Sequence, residues 1–399
     1  MVDTAGTDKA DTLRNNWSYP TSIYFGCGRI SELAEVCQAN GLQRPLLVTD
    51  QGLAAQGFIA DMLNATQQAG LRTRVFAQVK PNPTAKNIEQ GIQVFRSGNH
   101  DGVIAVGGGS ALDAGKAIGL MARQTLSLWE LEDSGDNWRR ADPQAMCPVI
   151  AVPTTAGTGS EVGRAAVIMD EDRLCKKIIF HPKMMPTAVI ADPALTCGLP
   201  PALTAATGLD AFVHLFEAWC APGYHPIADG IALQGMRLVS QWLPQACTHG
   251  DDLVARSHML CAASMGAMAF QKGLGAVHAL AHALGALYDI HHGLANAILL
   301  PYVVQHNRPA IESRIAQVAA QVGCSQHRFE DFLHWTLEFR ARLEIPSTLS
   351  AVDIDTRHSV QIGQMAQQDP SAATNPLRLS ARQYSDLFIH AVTGHNGAR

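Results

Sequence analysis

"DGVIAVGGGSALDAGKAIGLM", Asp101–Met121, divides at its glycines into halves of different texture. Val103–Val106 is an unbroken apolar run, as in a strand buried on both faces, whereas Ser110–Met121 spaces its apolar residues as a helix does. Gly107, Gly108 and Gly109 occupy the hand-over. Glycines there let backbone N–H groups approach a ligand, and the start of a helix adds partial positive charge, which together suit a pyrophosphate. A tight strand-to-helix turn with Ser110 as N-cap accounts for the same four residues, so the surroundings must decide.

Outward from this stretch the alternation repeats. "RPLLVTD" (Arg44–Asp50) precedes a helical pattern at Leu53–Gly70, "RTRVFAQV" (Arg72–Val79) precedes one at Thr84–Gly98, and "CPVIAVPTT" (Cys147–Thr155) follows. Such repetition implies parallel strands joined by crossover helices. Two further β-like runs, "RAAVIMD" and "KKIIFHP", lead through "TAVIADP" to a proline-glycine break at "CGLPP", Cys197–Pro201. Beyond it come long helical patterns rich in Ala and Leu: Ala202–Cys220, Pro226–Ala246, Asp252–Phe270, Ala276–Tyr288 and others. The expected fold is an α/β N-terminal domain with a parallel sheet, residues 1–198, followed by an all-α C-terminal domain, residues 199–399.

A second loop after a strand, "PTTAGTGSE" (Pro153–Glu161), offers small hydroxyls and glycine amides and strengthens the phosphate reading. Asp50 ends the first clear strand, where a carboxylate accepts hydrogen bonds from a ribose and repels a 2′-phosphate, favouring NAD over NADP. Its simpler reading is a helix N-cap. The G-x-G-x-x-G fingerprint is absent.

With 399 residues, 47% hydrophobic and 16% charged, the chain can bury two large cores. A net charge of −5 without a basic run speaks against nucleic acid as a partner. The polar N-terminus lacks the apolar core of a secretory signal, and no apolar run is read as membrane-spanning. Nine scattered cysteines without a C-x-x-C pair read as reduced thiols, so a cytoplasmic protein is expected.

Four histidines crowd into "GLGAVHALAHALGALYDIHHG", Gly273–Gly293. On a helix His278 and His282 share a face, as do Asp210 and His214 in "TGLDAFVH". Two such pairs facing each other suit one divalent cation, iron(II) or zinc, since both accept mixed N/O ligands. A lone histidine in an Ala/Leu helix is more often a core residue with a hydrogen-bond partner; four in one stretch are costly to bury for packing alone.

Together, "VTDQGL", "VGGGSALDAGKAIG", "VPTTAGTGSEV", "DPALT", "TGLDAFVHLFEAW", "HPIADGIAL", "GLGAVHALAHALGALYDIHHGLANAILLPYV" and "NPLRLS" resemble the iron-dependent (group III) alcohol dehydrogenase family nearly from end to end. The resemblance implies an N-terminal dinucleotide-binding domain, a helical metal domain and an active site in the cleft between them. It makes Asp210, His214, His278 and His292 the metal ligands and sets His282 beside substrate and nicotinamide. It points to Asp50 for the adenosine ribose, to Gly108, Gly109 and Ser110 for the pyrophosphate, and to Thr154, Thr155 and Thr158 nearer the nicotinamide. Lys176, with Lys177 as the alternative, should touch the cofactor.

The implied reaction is reversible oxidation of a primary alcohol by NAD with Fe(II), zinc or another divalent ion, in a homodimer or larger homo-oligomer. Departures from the family pattern include Gly163 in place of threonine, Ala283 in place of proline, and a shortened "MAFQKGLG" carrying Lys272. A Lys272 ammonium in the pocket would favour anionic aldehydes; a solvated loop lysine is the plainer expectation. Rival readings are a metal- and NAD-using lyase of the dehydroquinate synthase type and a catalytically silent NAD-binding protein.

Overall fold

The structure, a computed structural model, describes residues 21–395 apart from Leu174. Strands β1 (Ser22–Phe25), β2 (Pro45–Asp50), β3 (Arg74–Val79), β4 (Gly102–Gly107), β5 (Val149–Pro153) and β8 (Ala188–Ala191) form one sheet in the order β1-β8-β5-β4-β2-β3. Every pairing in it is parallel. Helices α1 (Leu33–Ala39), α2 (Gln51–Ala54), α3 (Gly57–Gln68), α4 (Ala85–Ser97) and α5 (Gly109–Met121) connect these strands. The apolar run that defined β4 is buried throughout, and Leu47, Ile104, Ile150 and Ile190 share a core with Leu33, Val36, Ile59 and Met62. Each such side chain contributes about 1.5–3 kcal/mol by leaving water.

Strand order fixes where a ligand goes. From β2 the chain moves outward to β3, then returns to lay β4 on the other side of β2 and continues through β5 and β8. Successive connections therefore part company between β2 and β4, the switch point at which α/β sheets bind ligands beyond the carboxyl ends of their strands. Asp50 ends β2 and Gly107 ends β4.

In the α/β part three features differ from the sequence reading. β6 (Ala165–Asp170) and β7 (Cys175–Phe180) form a separate antiparallel hairpin, in register from Ala165↔Phe180 to Asp170↔Cys175. Burial alternates along β6, as it does in a ribbon covered on one face. The pattern at Leu53–Gly70 is broken into α2 and α3 by extended backbone at Gln56. The short β1 was not anticipated.

Contacts group residues 21–204 with 248–264, and 205–247 with 265–395. The second group contains most of α6 (Pro201–Cys220), α7 (Pro226–Thr248) and the end of α8 (Leu253–Ala269). It also holds α9 (Ala276–Tyr288), α10 (His292–Ile311), α11 (Ile315–Val322), α12 (Phe329–Arg342), α13 (Ser359–Gln368) and α14 (Ala381–Thr393). Phe212 and Phe216 on α6 pack against Phe332, Trp335 and Phe339 of α12. That aromatic seam fixes the rotation of α6 and so the direction in which its polar residues Asp210, His214 and Glu217 point. Leu253–Lys272 is long and apolar enough to cross a membrane, contrary to the sequence reading, and more than half of its most apolar window is buried in the fold.

Candidate active site

Asp50 caps α2 by accepting the Leu53 N–H at 2.9 Å through Oδ1. Its Oδ2 points toward Gly107, where a Cβ would lie 3.9 Å from it. The cap thus uses one oxygen of the carboxylate. Helix α5 starts at Gly109 with Gly108 as N-cap and no side-chain cap, so its first-turn amides have no side-chain acceptor at the cap. Ser110, expected as the alternative cap, instead donates its hydroxyl to the Pro81 carbonyl.

The glycine turn lies directly on the threonine loop. Gly107 and Pro153 are register partners, and the Thr154 N–H donates to the Gly107 carbonyl at 3.0 Å. A Cβ on Gly108 would come within 3.2 Å of Thr155 Cγ2, and one on Gly109 within 2.7 Å of Thr158 Cγ2. A side chain at 109 would force Thr158 to shift, whereas one at 108 would ask Thr155 to give by a few tenths of an ångström. Sequence reasoning missed what holds the loop: Asp113 on α5 accepts the Ser160 hydroxyl at 2.5 Å and the Val167 N–H at 2.9 Å. Buried Lys116 donates to the Ser160 carbonyl at 3.0 Å. Their spacing in "LDAGK" was a usable signal.

Of the two candidate lysines, Lys177 is buried, pairs with Glu132 at 2.9 Å and Asp170 at 3.4 Å, and lies over the Trp129 ring. Lys176 is half-buried on the same strand. Burial pushes the Glu161 carboxyl above its ordinary value of 4.5, against the opposing Ser264 hydroxyl bond of 2.6 Å and the Lys116 charge. A carboxyl favoured in its neutral form stabilises the fold below the ordinary value and loses that contribution as pH rises toward the raised one. Glu161→Gln should therefore raise Tm at about pH 7 but not at about pH 4. Equal shifts at the two pH values in thermal scans would refute the assignment.

In the helical unit, α6 supplies Asp210 and His214, α9 supplies His278 and His282, and α10 begins at His292. Asp289, in the left-handed region at φ 52°, ends α9. His291 then caps α10, its Nδ1 accepting the Leu294 N–H at 3.3 Å. Ligand atoms of Asp210, His214 and His278 lie within 4.8 Å of one another, and all three residues are buried. His278 Nε2 and His292 Nε2 stand 3.9 and 3.7 Å from Asp210 Oδ1. The His214 and His278 rings stack at 4.6 Å.

At the centre of this group is Asn296, fully buried and unnoticed in the sequence. Its Nδ2 donates to Asp210 Oδ1 at 2.6 Å and lies 3.3 and 3.2 Å from the Nε2 atoms of His278 and His292. Its own Oδ1 is buried with no hydrogen-bond partner among the described residues, and the amide turns its donor side inward. A carboxylate oxygen and two imidazole Nε2 atoms converge there on one point. The donor set fits a borderline divalent cation.

Two further carboxylates, also missed, grip the histidines from behind. Glu217 accepts His278 Nδ1–H at 2.7 Å, and Asp369 pairs with His282 Nδ1 at 2.8 Å. Burial opposes charging of His278, but Glu217, Asp210 and Asp369 outweigh it and raise its pKa. Burial likewise opposes ionisation of Asp369, yet His282 and the Ser371 hydrogen bonds hold its pKa below the usual carboxylate value. His282 stacks on His292 at 5.3 Å. Lys272 is neither solvated nor offered to a ligand: its ammonium is buried against Asp229 Oδ1 at 2.5 Å and the Trp219 carbonyl at 3.4 Å.

Residues 20–193 match the family model described as iron-containing alcohol dehydrogenase, and residues 204–392 match that of the family's C-terminal part. The chain is 38% identical to the 4-hydroxybutyrate dehydrogenase of Cupriavidus necator, over 93% of this chain and 98% of that one. It is 36% identical to the 1,3-propanediol dehydrogenase of Citrobacter freundii, over 93% and 97%. Among solved structures, a 1,3-propanediol oxidoreductase superposes with a TM-score of 0.89 at 35% identity, covering 94% of this chain and all of that one.

Proposed function

Because this chain belongs to the iron-containing alcohol dehydrogenase family, we propose that it interconverts a small primary alcohol and its aldehyde with NAD(H), using Fe(II) or another divalent ion held by Asp210, His214, His278 and His292. The observation that carries this reading is the convergence of Asp210 Oδ1 and the Nε2 atoms of His278 and His292 on the Asn296 amide. When bound, the metal supplies Lewis acidity toward the substrate oxygen, and the nicotinamide supplies the hydride-accepting ring.

The remaining work belongs to side chains. With Nδ1 held by Asp369, His282 has Nε2 to orient the substrate and to take or return the alcohol proton. Gly108, Gly109 and Ser110 offer first-turn amides to the pyrophosphate, Thr154, Thr155 and Thr158 border the nicotinamide half, and Lys176 contacts the cofactor. The α/β domain, assigned from sequence to residues 1–198, carries NAD, and the helical domain, residues 199–399, carries the metal. A cytoplasmic homodimer or larger homo-oligomer completes the reading. A lyase acting on a polyanion would need basic side chains near the histidines, and Lys272 is already paired with Asp229.

Asp50 sets cofactor choice by charge. A 2′-phosphate beside its carboxylate is repelled in a partly desolvated site, so NAD should be preferred and Asp50→Ser should narrow the gap, by about tenfold for each 1.4 kcal/mol of repulsion removed. Steady-state kinetics with NADH and NADPH check this, and a wild type that prefers NADPH overturns it. The activity itself is tested by NADH oxidation with an aldehyde panel on anaerobically purified, iron-loaded protein. No turnover of any aldehyde counts against the proposal.

A further inference from the structure

We infer that Glu217 is a positioning residue that fixes His278 in its metal-binding tautomer and thereby couples metal affinity to the start of helix α9. The inference rests on the ligand assignment above. Glu217 is 4% exposed, and both of its oxygens are filled by N–H donors. Oε2 receives the Gly275 N–H at 2.9 Å and His278 Nδ1–H at 2.7 Å, while Oε1 receives the Val277 N–H at 2.7 Å. Gly275 is the N-cap of α9 and brings no side-chain cap of its own. Glu217 therefore does for α9 what a capping side chain would do, and its negative charge suits the positive end of the helix.

The same carboxylate decides where the His278 lone pair lies. A neutral imidazole has one N–H and one lone pair. With the hydrogen committed to Glu217 at Nδ1, the lone pair is on Nε2, which faces Asp210 Oδ1 at 3.9 Å and the Asn296 amide at 3.3 Å. The other tautomer would set a lone pair against the Glu217 carboxylate and a hydrogen into the space the metal needs. Bracketed by an acceptor at Nδ1 and a donor at Nε2, His278 pays no tautomer cost when a cation enters.

Glutamine at 217 keeps the shape and breaks the pattern. Its amide nitrogen must replace either Oε1, facing the Val277 N–H, or Oε2, facing both the Gly275 N–H and His278 Nδ1. The first opposes a donor to the Val277 N–H and leaves His278 Nδ1–H its acceptor; the second opposes a donor to both the Gly275 N–H and His278 Nδ1–H.

The test uses Zn(II) as probe on metal-stripped full-length protein, competed against a chromophoric chelator, with 15N histidine spectra of the metal-free protein. Glu217→Gln should bind zinc about 10–100-fold more weakly than wild type, and Glu217→Ala at least as weakly. Wild-type His278 should show the Nδ1–H tautomer, and this population should fall in Glu217→Ala, which leaves Nδ1–H without its acceptor. A purely structural cap would lower the metal-free Tm while leaving zinc affinity and the His278 spectrum unchanged, and that result overturns the inference. The wild-type spectrum tests it even where a variant does not fold: an Nε2–H tautomer there also overturns it. Wild type that binds no zinc defeats the ligand assignment itself, whereas equal binding by wild type and Glu217→Gln defeats only the role of Glu217.

Discussion

Asp210→Ala should yield protein that retains little metal after dialysis and whose kcat falls by about a thousandfold or more. A Lewis acid at the substrate oxygen is worth several kcal/mol of transition-state stabilisation, and each 1.4 kcal/mol is tenfold in rate. Asp210 is the anionic member of the proposed ligand set, and it is 2% exposed, so little water stands ready to replace it. Its loss also takes the acceptor from the Asn296 amide at 2.6 Å, a cost of about 1–3 kcal/mol for a buried donor. NADH binding should survive, because Asp50, Gly108, Gly109 and Thr155 belong to the other compact unit. Metal analysis and NADH fluorescence titration on the same preparation make the check. Stoichiometric metal in Asp210→Ala, or full activity in rigorously metal-free wild type, would remove the metal from the mechanism.

The second large effect separates three histidines that the sequence places within a dozen positions. His292→Ala should lose metal, since its Nε2 stands 3.7 Å from Asp210 Oδ1. His282→Ala should keep metal yet lose about a hundredfold or more in kcat, the usual scale for a positioned acid–base group. Its ring is committed at Nδ1 to Asp369 and stacks on His292. His291→Ala should keep both metal and turnover and lose about 1 kcal/mol or less of stability, because its role is to cap α10. The cap gives His291 a structural role. Metal content, kcat and Tm of the three purified variants decide it. Metal lost from His282→Ala but retained in His292→Ala would reverse the assignment.

Periodicity was enough for most of the fold. Val103–Val106 and Ser110–Met121 announced a buried strand and a helix because apolar spacing follows from local geometry alone, and the structure has β4 and α5 there. Asp210 with His214 and His278 with His282 were readable as shared helix faces for the same reason, residues four apart lying about one 3.6-residue turn apart in any α-helix. The proline-glycine break after Cys197 likewise marked the change from sheet to helices.

What the sequence could not supply is whatever depends on segments meeting from far apart along the chain. Glu217 and His278 are separated by 61 positions and His282 and Asp369 by 87. No local pattern brings them together: Glu217 lies on α6, and Asp369 ends α13, which packs on α9. Asn296 and Lys272 make the point from opposite sides. An asparagine in an apolar helix proves to be the centre of the donor cluster, and a lysine beside the histidines proves to be neutralised by Asp229. Fold class and the residue types of the site are local information, written in spacing. Tautomers, partners and which charge is already satisfied arise from long-range hydrogen bonds, and only the tertiary structure decides those.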